Sequence, residues 1–524
     1  MHIFRRFMLN GAVMSLTSIL LRGIGVAFNA FICGKLGEDG MGLFTLIMSV
    51  YGLAVTVAAS GVNLASTRMC AEAIGRGNGR EVGMAVRRCL TYALTCGCGA
   101  CLLLYFGADT VAQKWLSDIR CAPSLRLLAV SLPFISASNV FHGYFAAVRR
   151  VTKSAACQVF EQLFRVFVIC IALLYVVPDG IGYACIAIVG GGALAETVSF
   201  VMALVMYIAD RKRHVCASRG AVDGRRLTRT LFGITVPIAA AACVRSGLST
   251  LEHILIPRGL RKNPITADRA LADYGTLCGM AFPVIMFPTA LLYSFTGLLV
   301  PEFAEARTAG NDQRIRSMTT RSLRLTLIFS SWCSAVMALF SDELGMLIYQ
   351  SADAGKYIFI MAPLIPIMYL DHAVDAILKG LDEQFYCMKV NIADAALCTF
   401  FVWLLCPRIG IYGYVLTVYA AEIMNASLSL RKLFAVTGFK ADALKSFLIP
   451  VVCAGASAAV VNAVRGRVGL GGWPGLIAGI LFGTAVFAAF LHIARMTDSR
   501  AGTRGGMTHR RKTFVFMIKR PHTH

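Results

Sequence analysis

Long apolar stretches recur along almost the whole chain. Each is about 20 residues long, the length that a helix needs to cross roughly 30 Å of hydrocarbon. The first is too long for a signal peptide and contains Arg22, so we retain it as a helix. The pattern predicts an all-α integral membrane protein with about fourteen transmembrane helices, near residues 11–33, 42–64, 88–107, 124–147, 155–177, 182–209, 229–256, 275–300, 321–341, 356–379, 387–406, 411–430, 445–464 and 473–494.

Composition agrees with this pattern and narrows the classes of function. Hydrophobic residues make up 57% of the 524 residues and charged residues 15%, whereas an average soluble chain is about a quarter charged. The chain has no phosphate loop, no GxGxxG after a strand, no HExxH and no Gly-x-Ser-x-Gly elbow. Its 18 cysteines lie mostly within the apolar stretches, where a thiol behaves as a small apolar group. We therefore predict no enzyme, no metal site and no cofactor, apart from a coupling ion, H⁺ or Na⁺.

The net charge of +23 follows the membrane topology. Most lysines and arginines fall in alternate loops, which places those loops and both termini on the cytoplasmic side of a cell membrane. Nucleic acid is therefore not an expected partner. The outer segment 257–272 departs from the rule, and its basic residues are Arg258, Arg261, Lys262 and Arg269.

A weak internal repeat appears when the chain is compared with itself at a shift of roughly 223 to 237 residues. Arg22 then corresponds to Arg245, and Glu196 to Glu422. Both repeats begin inside, so they are parallel, and two such lobes enclose a central cavity. The predicted organisation is an N-terminal six-helix lobe 1–209, a basic linker 210–228, a pseudo-symmetric C-terminal lobe 229–434, a two-helix hairpin 435–494 and a basic tail 495–524.

Two arginines within the predicted spans are the strongest functional signal. A charge near the bilayer centre costs roughly 2.5 to 3.5 kcal/mol on insertion scales, so it needs a paired or hydrated environment. At equivalent places in facing lobes, Arg22 and Arg245 make the cavity cationic and suited to a phosphate or carboxylate. Glu252, two turns from Arg245, is the nearby acid. The alternative is that each arginine ties helices together through carbonyl groups or a glutamate.

Other polar residues in the spans have two interpretations each. Glu161 and Arg165 are one helical turn apart and favour a structural pair. Asp371, His372 and Asp375 could carry coupling protons or bind sodium, or else pair with the arginines or lie near the outer boundary. Further cavity or coupling candidates are Glu196, Asp394, Glu422 and Asn425. Single carboxylates of this kind are more often satisfied structurally.

Three glycines in the last span indicate close helix packing. Gly475, Gly479 and Gly483 recur at four-residue spacing, which clears one helix face and lets a neighbouring helix approach. The preceding span, rich in small residues from Cys453 to Ala459, is the expected partner. The alternative is a hairpin that also borders a lipid-facing groove.

The chain resembles the multidrug, oligosaccharidyl-lipid and polysaccharide exporter superfamily, and within it the polysaccharide flippases of the stage V sporulation protein B type. The resemblance lies in Leu255-Ile256-Pro257-Arg258, Tyr274-Gly275, Leu299-Val300-Pro301-Glu302, Gly380-Leu381 and Glu161-Gln162. It implies two six-helix bundles with two extra helices, and a lipid-linked, diphosphate-bearing saccharide as cargo. Arg22 matches a diphosphate-contacting arginine of related lipid II flippases. Phe28 and Leu43 depart from an expected arginine and an expected acid, which weakens a specific assignment to a peptidoglycan precursor.

The leading hypothesis is a flippase of a polysaccharide or peptidoglycan precursor that works by alternating access, as a monomer in the bilayer. An ion-coupled multidrug or metabolite exporter is the first alternative, and cavity arginines disfavour its cationic cargo. A membrane-embedded glycosyltransferase or polymerase ranks lower, because the outer loops are short.

Overall fold

The computed structural model describes residues 2–176, 181–214, 224–263, 269–438, 443–468 and 472–504. These residues are almost entirely helical and contain no strand. The helices are α1 His2–Ala59, α2 Val62–Gly75, α3 Gly79–Thr110, α4 Cys121–Ala147, α5 Val151–Val176, α6 Ile181–His214, α7 Gly224–Lys262, α8 Ala270–Tyr274, α9 Phe282–Met286, α10 Thr289–Thr308, α11 Asp312–Leu339, α12 Ser341–Leu344, α13 Ala352–Met361, α14 Ile365–Gly380, α15 Gln384–Ile409, α16 Ile411–Thr437, α17 Ala443–Val468 and α18 Gly472–Arg504.

The predicted all-α membrane class is confirmed. Within the described ranges, 11 helices are long and apolar enough to cross a membrane. The first of them covers two predicted spans, which meet at a kink in α1. The kink lies at Gly37, whose φ of 70° is readily available only to glycine. Every one of the fourteen predicted spans falls within a helix or a run of short helices, so the helix count is consistent with the prediction.

Two predicted spans are broken rather than continuous. The span 275–300 consists of a π-helical segment Gly275–Ala281, then α9, then α10, and Pro288 lies in the last break. The span 356–379 is divided between α13 and α14 by a 3-10 turn Ala362–Leu364. Proline lacks an N–H group and obstructs the preceding turn, so these breaks leave backbone groups for other partners.

Residues 1–441 form one compact unit that contains two helix groups. Helices α1–α6, here the N-terminal group, pack mainly against one another, and so do α7–α16, here the C-terminal group. Each group has its own hydrophobic core cluster among the described residues, one centred on Phe141 and Tyr144, the other on Phe303 and Ile377.

Helix α7 belongs to both groups. Its first turns carry Leu227 and Leu231 into the core of the N-terminal group, while further along α7 packs against α15, where the Thr399 hydroxyl donates to the Leu248 carbonyl at 3.2 Å. The helix also begins at Gly224, ahead of the predicted lobe boundary at 229. The lobe limits remain a prediction.

Residues 442–524 form a second unit, in which α17 and α18 pack against each other. The buried positions of α17 include the small residues Cys453, Ala454 and Ser457. On α18, Gly483 is buried, and Gly475 and Gly479 are half-buried. The glycine-packing hypothesis agrees with this arrangement. Most of the predicted basic tail, from residue 505 onwards, lies outside the described residues.

Candidate functional site

Arg22 joins the two helix groups. Its side chain on α1 is half-buried, and its Nη2 donates a hydrogen bond to the Met286 carbonyl oxygen at 2.9 Å. That carbonyl has lost its helical partner because the helix breaks at Pro288, where the Ala290 N–H bonds instead to the Phe287 carbonyl. The Thr289 hydroxyl donates to the same Met286 oxygen, so Arg22 shares it. A guanidinium has five N–H donors, and one bond to a carbonyl leaves most of them for a ligand.

Two rings lie beside Arg22. The Arg22 guanidinium carbon lies 5.9 Å from the centre of the Tyr293 ring, within the range of a cation–π contact. The Tyr293 ring centre in turn lies 5.3 Å from that of His372, with the ring planes tilted by 53°. Sequence reasoning missed Tyr293, because an uncharged tyrosine in an apolar span carries no signal of its own.

His372 interacts electrostatically with Arg22 and with Arg245. The Arg245 side chain on α7 is exposed, and His372 on α14 lies within electrostatic reach of both arginines. Asp394 on α15 is also within reach of Arg245. Across the described part of the chain, neither arginine forms an ion pair with a carboxylate. Arg22 of the N-terminal group and Arg245 of the C-terminal group therefore both act electrostatically on His372, and the cationic cavity stays a prediction.

Four carboxylates of the C-terminal group, each on a different helix, interact electrostatically. Glu252 on α7 and Glu422 on α16 both lie within electrostatic reach of Asp394 on α15, and Glu422 also interacts with Asp371 on α14. Glu252 thus lies near another acid, and its predicted role beside the arginines stays a prediction. One oxygen each of Asp371 and Asp394, both Oδ1, is buried without a hydrogen-bond partner.

The remaining candidates of α14 and α16 have clear partners. The Asn425 side-chain amide donates to Asp371 Oδ2 at 3.2 Å. Asp375 accepts from Lys379 Nζ at 3.2 Å, one helical turn further along α14. No group of three or more histidine, cysteine, aspartate or glutamate side chains that could hold a metal ion occurs among the described residues.

The pair predicted on α5 is a triad in the structure. Arg165 Nη2 contacts Glu161 Oε1 at 2.7 Å and Glu196 Oε1 at 2.6 Å. The Ser199 hydroxyl donates to the other Glu161 oxygen at 2.8 Å. Glu196 therefore shares a guanidinium within the N-terminal group, unlike its repeat partner Glu422, and it is not a free cavity carboxylate.

The interface between the groups is closed at one end. The Ser351 hydroxyl of α13 donates to Glu38 Oε1 of α1 at 2.6 Å. Beside it the two backbones almost touch: a Cβ on Gly275 would lie 2.3 Å from the Glu38 carbonyl oxygen and 2.4 Å from the Gly42 nitrogen. Only glycine permits such an approach. We name this region, formed by Glu38, Gly42, Gly275 and Ser351, the closed end.

A cavity of about 410 Å³ lies between the closed end and Arg22. Residues of both groups line it: Thr45, Met48, Ser49, His253, Cys278, Phe282 and Tyr414. Phe282 is one helical turn from Met286, the residue whose carbonyl Arg22 holds. The cavity therefore approaches the helix break that Arg22 contacts.

Part of the basic segment 257–272, predicted to lie outside, has acidic partners. Arg269 contacts Asp353 of α13 at 3.1 Å. Arg261 is within electrostatic reach of Asp118, which Arg120 contacts at 2.6 Å. Burial opposes ionisation of Asp118, but the hydrogen bonds from Arg120 outweigh it and hold the pKa of Asp118 below its usual value.

These features define a class: a multi-pass membrane transporter whose charged centre lies between two helix groups. The chain belongs to the polysaccharide biosynthesis protein family, whose sequence profile matches residues 8–307. A second profile, MatE, matches residues 265–404. The resemblance to the multidrug, oligosaccharidyl-lipid and polysaccharide exporter superfamily is confirmed.

Relatives and solved structures extend this result. Stage V sporulation protein B of Bacillus subtilis (strain 168) is 23% identical over 485 residues, which cover 89% of this chain and 92% of that protein. The lipid II flippase MurJ of the same organism is 21% identical over 399 residues, 71% of this chain and 72% of that protein. Both relatives match the chain along most of its length.

Among solved structures, the lipid II flippase MurJ in an inward closed conformation has a TM-score of 0.67 at 13% identity and covers 93% of this chain and 99% of its own. An inward-facing multidrug resistance transporter of the MATE family has a TM-score of 0.62 at 13% identity, over 82% of this chain and 100% of its own. At these identities the likeness shows the fold.

Proposed function

We propose that this protein moves a lipid-linked, diphosphate-bearing saccharide across the cell membrane by alternating access, with no covalent step. The observation that carries the proposal is that Arg22 bonds across the two groups to the Met286 carbonyl and that both Arg22 and Arg245 act electrostatically on His372, with neither guanidinium paired to a carboxylate in the described structure. A guanidinium binds phosphate oxygens through two parallel N–H bonds and keeps its charge at any physiological pH. Two of them match a diphosphate.

The proposed direction is from inside to outside. Glu38, Gly42 and Gly275 lie at the end that the distribution of basic residues predicts to be outside. In this proposal the lipid-linked precursor reaches the two arginines from the cytoplasmic side while that end is shut. Separation of the closed end and approach of the opposite ends then expose the headgroup outside. Both termini are cytoplasmic in this proposal, and the monomer is sufficient.

The carboxylates of the C-terminal group supply the coupling. Buried acids are costly in a membrane unless they bind a proton or an ion. Asp371 and Asp394 each keep one buried oxygen unpartnered. Because each of these two acids can take a proton separately, we propose H⁺ as the coupling ion, with Na⁺ as the alternative.

An exporter of organic cations is the second candidate, because the fold is shared with MATE transporters. The charge at the centre argues against it: two arginines repel a cationic drug and attract an anion.

The test uses purified protein in liposomes. The probe is a lipid diphosphate that carries one fluorescent sugar, and its arrival outside is followed with a membrane-impermeant quencher. A charge-assisted bond to a guanidinium is worth about 1.5–3 kcal/mol, so Arg22→Ala and Arg245→Ala should each slow transport about tenfold or more. The control is Arg126→Ala, which removes an exposed ion pair with Asp109 that involves neither Arg22 nor Arg245.

Three results would overturn the proposal. Wild-type vesicles that match empty ones, variants that match the wild type, or a wild type that moves a fluorescent organic cation in preference to the lipid diphosphate each remove its basis. A loss confined to Arg22→Ala and Arg245→Ala, with Arg126→Ala unchanged, supports it.

A further inference from the structure

Tyr293 is unusually exposed for a residue at the centre of the protein. Nearly half of its surface, 47%, is accessible, although it lies between Arg22 and His372. Leu291, two positions earlier on α10, is also exposed, but residues two apart point to nearly opposite sides of a helix. Since Tyr293 lies with Arg22 and His372, its open surface faces the space between the two groups, and Leu291 faces away.

We propose that the Tyr293 ring is the surface on which the first sugar of the headgroup, the one bonded to the diphosphate, lies. This inference rests on the proposed function and adds a substrate-contacting residue to it. An aromatic ring offers a flat apolar face of a size that matches a pyranose ring, whose C–H groups are its apolar surface. The ring costs little entropy to hold in place, because tyrosine has two rotatable side-chain bonds.

Distance supports this placement. The ring centre is 5.9 Å from the Arg22 guanidinium carbon. A phosphate held by that guanidinium has its phosphorus about 4 Å away, and the sugar ring begins two bonds of about 1.5 Å beyond the phosphorus. A sugar attached to a phosphate on the Tyr293 side of the guanidinium therefore falls within contact of the ring.

His372 also lies beside the Tyr293 ring. Its ring centre lies 5.3 Å from that of Tyr293, which restricts the tyrosine and places a further hydrogen-bonding group near the same space. Arg22, Tyr293 and His372 together present a phosphate-binding charge, an apolar face and a polar edge, which are the kinds of group that a sugar diphosphate needs.

The chain provides a closely matched control. Tyr412 is also 47% exposed, and Lys356 Nζ lies 5.6 Å from its ring centre. It therefore has the same accessibility and the same kind of cation–π contact as Tyr293. Tyr412 on α16 and Lys356 on α13 make no contact with Arg22 among the described residues, so the loss of the Tyr412 ring should not affect the proposed site.

The experiment measures binding of two probes to the full chain in nanodiscs: a lipid diphosphate with one hexose, and the same lipid diphosphate without sugar. An aromatic contact of about 0.5–1.5 kcal/mol predicts that Tyr293→Leu weakens the sugar-bearing probe up to about tenfold. The sugar-free probe should bind as it does to the wild type. Tyr293→Phe, which keeps the ring, and Tyr412→Leu should change neither affinity, and the thermal midpoint of each variant shows that it is folded.

The outcomes separate the two proposals. An equal loss for both probes in Tyr293→Leu would mean that the ring acts only by orienting Arg22, and no loss for either would mean that the sugar does not touch it; both results overturn the inference and leave the proposed function standing. If the wild type binds neither probe, the proposed function itself fails. A loss in Tyr293→Phe equal to that in Tyr293→Leu would assign the contact to the hydroxyl and overturn the stacking argument.

Discussion

Substitution of Gly275 by alanine should open the closed end. In the structure the added Cβ would lie 2.3 Å from the Glu38 carbonyl oxygen and 2.4 Å from the Gly42 nitrogen. An ordinary contact is at least 3.4 Å, so the α1 backbone and the Gly275–Ala281 segment must move apart by about 1 Å. Both neighbours are backbone atoms, which cannot rotate out of the way as a side chain can.

The size of the effect follows from the cost of overpacking. An extra methyl group in a well-packed region typically costs 1–3 kcal/mol. Here the cost falls only on the state in which the two groups touch, because the contact does not exist once they separate. A penalty of that size on one of two states changes their ratio about 5- to 150-fold in favour of the state with the outer end open.

Accessibility to a membrane-impermeant maleimide measures this ratio. The reporter is Met41→Cys, because Met41 is 2% exposed in the closed end and packs against Gly279. The chain with its native cysteines gives the background. When Gly275→Ala is added, the labelling rate from outside should rise in proportion to the open population, and transport should slow because the cycle stalls in one state.

Gly52→Ala is the matched control. It lies on the same helix as the reporter, and its Cβ would meet nothing within 4 Å. The reasoning is refuted if Gly275→Ala leaves the labelling rate at the level of the reporter alone, or if Gly52→Ala raises it as much.

Three further predictions test other charged groups. Arg165→Gln leaves Glu161 and Glu196 without their cation and should lower the free energy of unfolding by about 2 kcal/mol after allowance for partial exposure. The thermal midpoint in detergent should fall accordingly, whereas Arg126→Gln, at an exposed pair, should leave it unchanged. Asp118 has a lowered pKa. Its contribution to stability is therefore present above its usual pKa of about 3.9 and is lost as the pH falls through the lower pKa of the folded state. Asp118→Asn should flatten the acid side of a plot of thermal midpoint against pH. Asp394→Asn should abolish the stimulation of transport by an acidic exterior, and stimulation of the wild type by a sodium gradient alone would contradict proton coupling.

Some features of the site could be predicted from residue types alone. A guanidinium in an apolar span is costly wherever the helix packs, so Arg22 and Arg245 stand out in any arrangement. The same holds for the carboxylates at 371, 394 and 422. The internal repeat predicts that the two arginines lie in comparable places, and both act electrostatically on His372.

Other features had no signal along the chain. Tyr293 is one of 16 tyrosines, and only its position beside Arg22 distinguishes it. Glu252 and Glu196 are both acids in apolar spans, yet the structure places Glu252 near another acid, Asp394, and joins Glu196 to Arg165. Which partner a buried charge finds depends on the helix opposite, and spacing within one helix does not reveal it.

The sequence by itself determined the membrane class, the approximate spans and the charges that need explanation, because the length of an apolar stretch and the cost of a buried charge are local properties of the chain. Only the tertiary structure decided which charges meet, that Pro288 frees a carbonyl for Arg22, and that Gly42 and Gly275 close one end. Those facts depend on contacts between segments more than 200 residues apart, such as the 264 residues between Arg22 and Met286. Such contacts arise from the packing of the two helix groups against each other.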